Sequence, residues 1–259
     1  MARILLLETS TAVLSVALAE DGTIVARRRC EEPRMQASLT APLVKEVLEE
    51  ARLGVRDCDA ICVSKGPGSY TGLRVGVSTA KGLAFGAGLP LIAIGTLDVL
   101  AAGARQQLCA EGDEGRADGQ IGFSGTAPKN NLTGSVEQKL SSNGLIVPMI
   151  DARRMEVYTA VFSPEGKQLT PVEAKIIDAQ SFAEELAAGP VLFTGDGALK
   201  CRGVLSHPNA RFQEAWPEAE AMAGLAQKAW EQKRFEDLAY FEPYYLKDFV
   251  ATVSRKNLF

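Results

Sequence analysis

Apolar residues in this chain come in short runs separated by polar turns, and the order of runs and turns repeats. Ile4 to Leu7 is an unbroken apolar run ending at Glu8-Thr9-Ser10. A run of that length, bounded by polar residues, predicts a strand buried on both faces. A second strand, Val13 to Ala19, follows, then the turn Glu20-Asp21-Gly22 and a third strand from Thr23 to Ala26. The order returns at Leu145. Leu145 to Ile150 is apolar and ends at Asp151-Ala152-Arg153-Arg154; the strand Val157 to Phe162, the turn Ser163-Pro164-Glu165-Gly166 and a further short strand come next. Glu8 lies fourteen residues before Gly22, and Asp151 fifteen before Gly166. Each copy continues into helices and another buried strand, Ala60 to Val63 in the first and Val191 to Thr194 in the second. Two copies of strand, acidic turn, strand, glycine turn, strand predict two domains sharing one α/β architecture.

The segment between the copies is of a different kind. Gln106 to Asn143 is rich in Gly, Ser, Asn, Asp and Lys with little periodicity, which predicts a long insertion or linker. The expected organisation is a first domain over residues 1–105, a flexible insertion over 106–144 and a second domain over 145–259. Glu218 to Glu236 has a helical pattern, and Phe241-Glu242-Pro243-Tyr244-Tyr245-Leu246 is irregular.

Two helices of the first half carry the sharpest patterns. Arg34 to Leu53 reads as a helix with Pro42 in its first turns, where the missing N–H is tolerated. Leu39, Leu43 and Val47 share one stripe of it, Val44 and Leu48 the next. The second helix is opened by Gly66-Pro67-Gly68-Ser69-Tyr70-Thr71-Gly72-Leu73-Arg74-Val75-Gly76 and runs to about Gly86. Gly72, Gly76, Ala80 and Ala84 recur every four residues and lie in one row, with Gly82 and Gly86 in a second. Glycine inside a helix costs about 0.8–1 kcal/mol relative to alanine, so these positions need a compensating close approach of another backbone. That backbone belongs either to the chain's own sheet or to a second protein. The combined apolar area of the two helices exceeds what one sheet face needs. A partner interface is therefore expected over Leu39, Leu43, Val47, Leu73, Gly76, Val77 and Ala80.

Composition narrows the classes. A chain of 259 residues with 46% hydrophobic content suffices for one large core or two moderate ones. A net charge of −4 and a pI near 5.3 argue against a standalone nucleic-acid binder. No apolar run approaches the roughly 20 residues of a membrane span. The start, Met1-Ala2-Arg3-Ile4, enters a strand pattern without the layout of a signal peptide. Cys30, Cys58, Cys62, Cys109 and Cys201 lack Cys-x-x-Cys spacing and read as reduced thiols of a cytoplasmic protein.

A glycine-rich turn from strand to helix is a place where backbone N–H groups and the helix dipole hold phosphate. The spacing here fits neither nucleotide motif. Thr71-Gly72-Leu73 stands where a Walker loop needs Gly-Lys-Ser/Thr, and Gly66, Gly68 and Gly72 are one residue too widely spaced for the dinucleotide fingerprint. The single histidine, His207, builds no two-histidine metal site and has no nucleophile motif around it. The first hairpin turn, Thr9-Ser10-Thr11-Ala12, lacks the glycines that let backbone wrap a phosphate. Arg153 and Arg154 either face an anion or are solvated surface arginines.

Duplicated domains, each opening with a hairpin whose turn carries an acid, resemble the actin, sugar kinase and Hsp70 superfamily. Ile4-Leu5-Leu6-Leu7-Glu8-Thr9-Ser10, Gly66 to Gly76, Thr79-Ala80-Lys81-Gly82, Asp151-Ala152-Arg153-Arg154-Met155-Glu156-Val157-Tyr158 and Gly195-Asp196-Gly197 narrow the resemblance. They look like the TsaB (YeaZ) family of tRNA threonylcarbamoyladenosine biosynthesis, over nearly the whole chain outside 106–143. The resemblance implies two tandem actin-like (ribonuclease H-like) domains, with mixed sheets flanked by helices. It implies a non-catalytic subunit that binds a TsaD-type catalytic subunit and works with a TsaE-type ATPase and TsaC-type proteins. Together these attach threonylcarbamoyl to the adenosine beside the anticodon of tRNA. Family members also form homodimers through the helical face that meets TsaD. The resemblance further implies that tRNA is met only through the complex, and that ATP is used by the complex with no cofactor held tightly by this chain. Glu8 and Asp151 fall where active superfamily members place their Mg²⁺ and phosphate acids, so both turns are expected to face the interdomain cleft. Glu8, Thr9, Ser10, Asp151, Arg153 and Gly195 are thus a candidate vestigial phosphate cleft. The alternative within the superfamily is an enzyme acting alone, either a small-molecule kinase or a glycoprotease-like peptidase.

Overall fold

The structure, a computed structural model, describes residues 1–113 and 144–247. Strands β1 (Arg3–Glu8), β2 (Leu14–Glu20) and β3 (Thr23–Cys30) form an antiparallel meander. β4 (Ala60–Gly66) and β5 (Leu91–Gly95) join it in parallel, giving the order β3-β2-β1-β4-β5. The second sheet repeats this strand for strand. β6 (Leu145–Asp151), β7 (Glu156–Thr159) and β8 (Glu173–Ile176) are antiparallel, β9 (Val191–Thr194) and β10 (Ala210–Gln213) are parallel additions, and the order is β8-β7-β6-β9-β10. The chain is thus two tandem α/β domains of one architecture, with mixed sheets flanked by helices, as expected. β7 is shorter than its apolar run predicts, and Phe162 makes only isolated bridges to Ile146 and Gln168.

The helices are α1 (Gln36–Glu50), α2 (Tyr70–Ala87), α3 (Thr96–Asp113), α4 (Ala183–Ala188), α5 (Ala198–Cys201) and α6 (Ala223–Glu231). β1 is buried on both faces because helices cover both. Leu5 and Leu7 meet Val44 and Val47 of α1 and Val77 and Ala80 of α2 on one face. Ile4 and Leu6 meet Ala219, Met222 and Ala226 on the other. In the second sheet, Ile146 and Ile150 pack against Leu97, Leu100 and Ala104 of α3. Val147 and Met149 face Leu186, Ala198 and Cys201.

Helical packing therefore crosses between the halves. α3 follows the first sheet in sequence and packs on the second through Leu97, Leu100 and Ala104 while its Val99 stays on the first, whereas residues 219–231 follow the second sheet and pack on the first. A boundary at residue 145 separates the sheets but not the packed units, because Ala219, Met222 and Ala226 bury against Ile4 and Leu6. The insertion expected from residue 106 also begins later, since α3 continues to Asp113. Residues 114–143 lie outside the described residues.

The helix expected over 218–236 stops at Glu231. Lys233 takes φ +53 and the Arg234 N–H turns back to the Ala229 carbonyl at 2.9 Å. The following residues form a strap. Glu236 N–H donates to Leu91 O (2.8 Å), Lys81 Nζ to Phe241 O (2.8 Å) and Tyr244 N–H to Lys65 O (2.7 Å). Lys247 then pairs with Glu156 of β7, so the strap joins the two halves. No helix among the described residues is long and apolar enough to cross a membrane.

Candidate functional site

The β1–β2 turn is seated directly on the first glycine row of α2. A Cβ at Gly68 would lie 2.4 Å from the Ser10 carbonyl oxygen, at Gly72 2.1 Å from the Thr9 carbonyl oxygen, and at Gly76 2.1 Å from Thr9 Oγ1. Thr9 Oγ1 donates to Gly72 O at 2.8 Å, and Ser69 N–H donates to Ser10 O at 2.7 Å. The close approach that this row requires is thus intramolecular.

That seating seals the first acid. Glu8 has no exposed surface, and its Oε1 accepts from Ser10 N–H at 2.7 Å and Ser64 Oγ at 2.9 Å. Burial pushes its carboxyl above the ordinary carboxylate range, opposed by hydrogen bonds from Ser10 and Ser64. Glu8 and Thr9 therefore lie behind the cleft wall, contrary to the expectation that this turn presents them to the cleft.

The cleft itself holds about 950 Å³ between the two halves. Ser10, Thr11 and the first turn of α2 line one side, and Asp151, Arg153 and Asp196 come from the second domain. Asp151 is exposed; its Oδ1 pairs with Lys200 and accepts from Arg153 N–H at 2.7 Å, while its own N–H donates to Asp196 Oδ1 at 2.9 Å. Burial pushes the Asp196 carboxyl upward, with the Asp151 N–H hydrogen bond opposing it. Gly195 does not line the cleft. It has φ +130, and a Cβ there would lie 2.1 Å from the Met149 carbonyl oxygen, so it serves the packing of β9 against β6. At the lip, Tyr70 and Tyr245 pack with centroids 4.9 Å apart and ring planes tilted by 38°, and the Arg74 guanidinium lies 4.7 Å from the Tyr70 ring centroid.

The expected interface requires a larger correction. Leu43, Val47, Leu73, Gly76, Val77 and Ala80 are buried in the chain, and Leu39 is half-buried against the first core. Both helices lay these residues on their own sheet, so none is free to meet a partner. The open side of α2 is the opposite one. Arg74, Ser78, Gly82 and Gly86 recur there at four-residue intervals, all exposed, and Phe85 is 83% exposed. A Cβ at Gly82 or Gly86 would meet nothing within 4 Å. Among the described residues no group of His, Cys, Asp and Glu is placed to hold a metal. His207 is exposed, and its Nδ1 accepts from Asn209 N–H at 3.1 Å.

Sequence reasoning missed Phe85, Asp196, Lys200 and Tyr245 as site residues. Phe85 had a signal, because it stands beside Gly82 and Gly86, and Asp196 stands in a Gly-Asp-Gly turn after a buried strand. Tyr245 reaches the cleft, and Lys200 reaches Asp151, only through tertiary packing.

A family model described as TsaD: tRNA N6-adenosine threonylcarbamoyltransferase matches residues 34–113. The tRNA threonylcarbamoyladenosine biosynthesis protein TsaB of Escherichia coli (strain K12) is 42% identical over 103 residues, 39% of this chain and 44% of that protein. Its namesake in Bacillus subtilis (strain 168) is 30% identical over 169 residues, 65% of this chain and 58% of that protein. The chain thus spans about half the length of the curated relatives it matches. A solved structure from Pseudomonas aeruginosa, described as similar to peptidase YEAZ, superposes with a TM-score of 0.74 at 26% identity, covering 95% of this chain and 100% of that one.

Proposed function

We propose that the chain is a TsaB/YeaZ-type protein, a non-catalytic subunit in tRNA threonylcarbamoyladenosine biosynthesis that binds and supports a TsaD-type catalytic subunit, a reading supported by its similarity to TsaB-named proteins and to a YeaZ-like structure. The observation that carries this reading is the outward row of α2. Gly82 and Gly86 sit in a helix where alanine is better by about 0.8–1 kcal/mol, and nothing in the described chain approaches them. A partner helix packed on that row supplies the missing return, with the exposed Phe85 as an anchor beside it. The row also lies within residues 34–113, the segment that the TsaD family model matches. A TsaD-type subunit therefore carries a related helical face, and the two pair about a quasi-two-fold axis. A homodimer through the same row competes with that assembly.

The non-catalytic part is supported by the two acids. Glu8 is sealed beneath the β1–β2 turn, and the Asp151 carboxylate is engaged by Lys200. In this reading ATP is handled by other subunits, a TsaE-type ATPase among them. The test is co-purification of the full chain with a TsaD-type subunit. Phe85→Glu should abolish it while the far-UV circular dichroism melt of the free chain stays unchanged. Retention of the partner at wild-type affinity rejects this face. Micromolar binding of ATP with Mg²⁺ by the free chain, with turnover lost in Asp151→Ala, rejects the non-catalytic reading.

A further inference from the structure

We propose that the mouth of the interdomain cleft is a contact for single-stranded RNA, formed by Arg34 of the first domain and Arg153 of the second beside the Tyr70–Tyr245 pair, with the exposed Arg154 following Arg153 in the chain. The identity of that RNA as a tRNA loop rests on the function proposed above; the contact itself rests on the geometry.

Charge distribution is the first observation. The net charge is −4, and the arginine run on β3 is consumed internally. Arg27 pairs with Glu220, Arg28 with Glu46 and Glu50, and Arg29 with Glu31 and Glu218. Arg34, Arg153 and Arg154 differ: all three are exposed, and their side chains make no hydrogen bond or ion pair among the described residues. Arg34 and Arg153 line the same cleft from different domains. Of the nearby acids, Asp151 pairs with Lys200 and Glu156 with Lys247, while Asp196 lines the same cleft and accepts from the Asp151 N–H.

The backbone is the second. Arg34, Arg153 and Arg154 have φ of +67, +73 and +53, a region that suits glycine and strains other residues. Glycine would satisfy the chain path at each, so the backbone conformation does not itself call for arginine. The rings are the third. Arg74, Tyr70 and Tyr245 cluster at the lip, with Tyr244 42% and Tyr245 36% exposed. Exposed rings interleaved with cations are the platform on which bases stack while phosphates pair along the groove. A lone phosphate has no use for the rings, whereas a strand that alternates phosphate and base uses both.

Two binding experiments, read by fluorescence anisotropy, decide it. The first uses the full chain alone and a labelled 20-nucleotide single-stranded RNA at low salt. The second uses the chain assembled with a TsaD-type subunit and a tRNA anticodon stem-loop. Arg34→Glu/Arg153→Glu/Arg154→Glu should weaken binding at least tenfold in either format, and should reduce the slope of log affinity against log salt by about 2, as expected for three lost single-strand phosphate contacts. Arg153→Gly, which the backbone already suits, guards against misfolding: it should leave Tm unchanged and still weaken binding. Unchanged affinity and slope in a folded variant overturn the proposal and leave the partner reading standing. Arginine-dependent binding by the free chain, with no assembly in the second format, supports the contact and rejects the partner reading. Displacement by millimolar phosphate or ATP, with no dependence on RNA length, overturns it in favour of a small-anion site.

Discussion

Thr9 and Gly72 grip each other through two groups at once. The Thr9 hydroxyl donates to the Gly72 carbonyl at 2.8 Å, and the Thr9 carbonyl oxygen stands 2.1 Å from where a Gly72 Cβ would be. The β1–β2 turn can sit this low only because the helix beneath it has no side chain at that point. Sealing of Glu8 follows from the same contact, since the lowered turn carries the Ser10 N–H onto its carboxyl.

The two glycine rows of α2 should therefore respond oppositely to alanine. Gly72→Ala drives a methyl into backbone and is expected to cost about 3 kcal/mol or more, a fall in Tm of about 6 °C or more for a chain of this size. Gly82→Ala meets open space and should stabilise the free chain by about 0.8–1 kcal/mol while weakening partner binding. Thermal melts of the free chain beside partner titrations check both signs.

Leu43 is 8% exposed and belongs to the first core. Leu43→Glu buries an unpaired charge and should destabilise the free chain by about 3 kcal/mol or more. Phe85→Glu changes only solvated surface and should leave the same melt within about 0.5 kcal/mol. Urea denaturation of the two variants side by side distinguishes a core position from a docking position.

Glu8 gives the chain a pH dependence of known sign. Its folded carboxyl titrates above its unfolded value because burial penalises the charge. The linked stability is fully present below the unfolded value of about 4.3 and is lost as pH rises through the raised folded value. Glu8→Gln keeps a carbonyl acceptor for Ser10 and Ser64 and removes the charge. Its stability advantage over the wild type should be absent near pH 4 and widen on going to neutral pH, as read from denaturant midpoints across that range. A constant difference would mean that the Glu8 carboxyl does not change protonation between the two states.

The strap should loosen when its anchor on α2 is cut. Lys81→Met removes the donor to Phe241 O, at 2.8 Å, and is expected to cost about 0.5–1.5 kcal/mol. The effect should be local. Amide exchange at Tyr244, bonded to Lys65 O, should quicken while the β1 amides keep their protection.

The sequence by itself determined the duplication, because each sheet is built from unbroken apolar runs whose boundaries are marked by acids and glycine turns. β1, β4, β6 and β9 were all readable in this way, being buried on both faces whatever covers them. It also determined which residues of α1 and α2 share a row, since that depends only on the helical repeat. The direction in which a row points was left to the tertiary structure. Gly72 and Gly82 are the same residue type in the same helix, yet one lies under Thr9 and the other in open space. Leu43 and Val47 form a stripe equally suited to a sheet or to a partner, and the nearest apolar surface proved to be their own sheet, where α1 lies on β2 and β3. The packing of α3 and α6 across the halves, the sealing of Glu8 and the meeting of Arg34 with Arg153 across one cleft join residues far apart in sequence. Local patterning carries no signal for such pairs, because nothing short of the packed fold brings them within reach of each other.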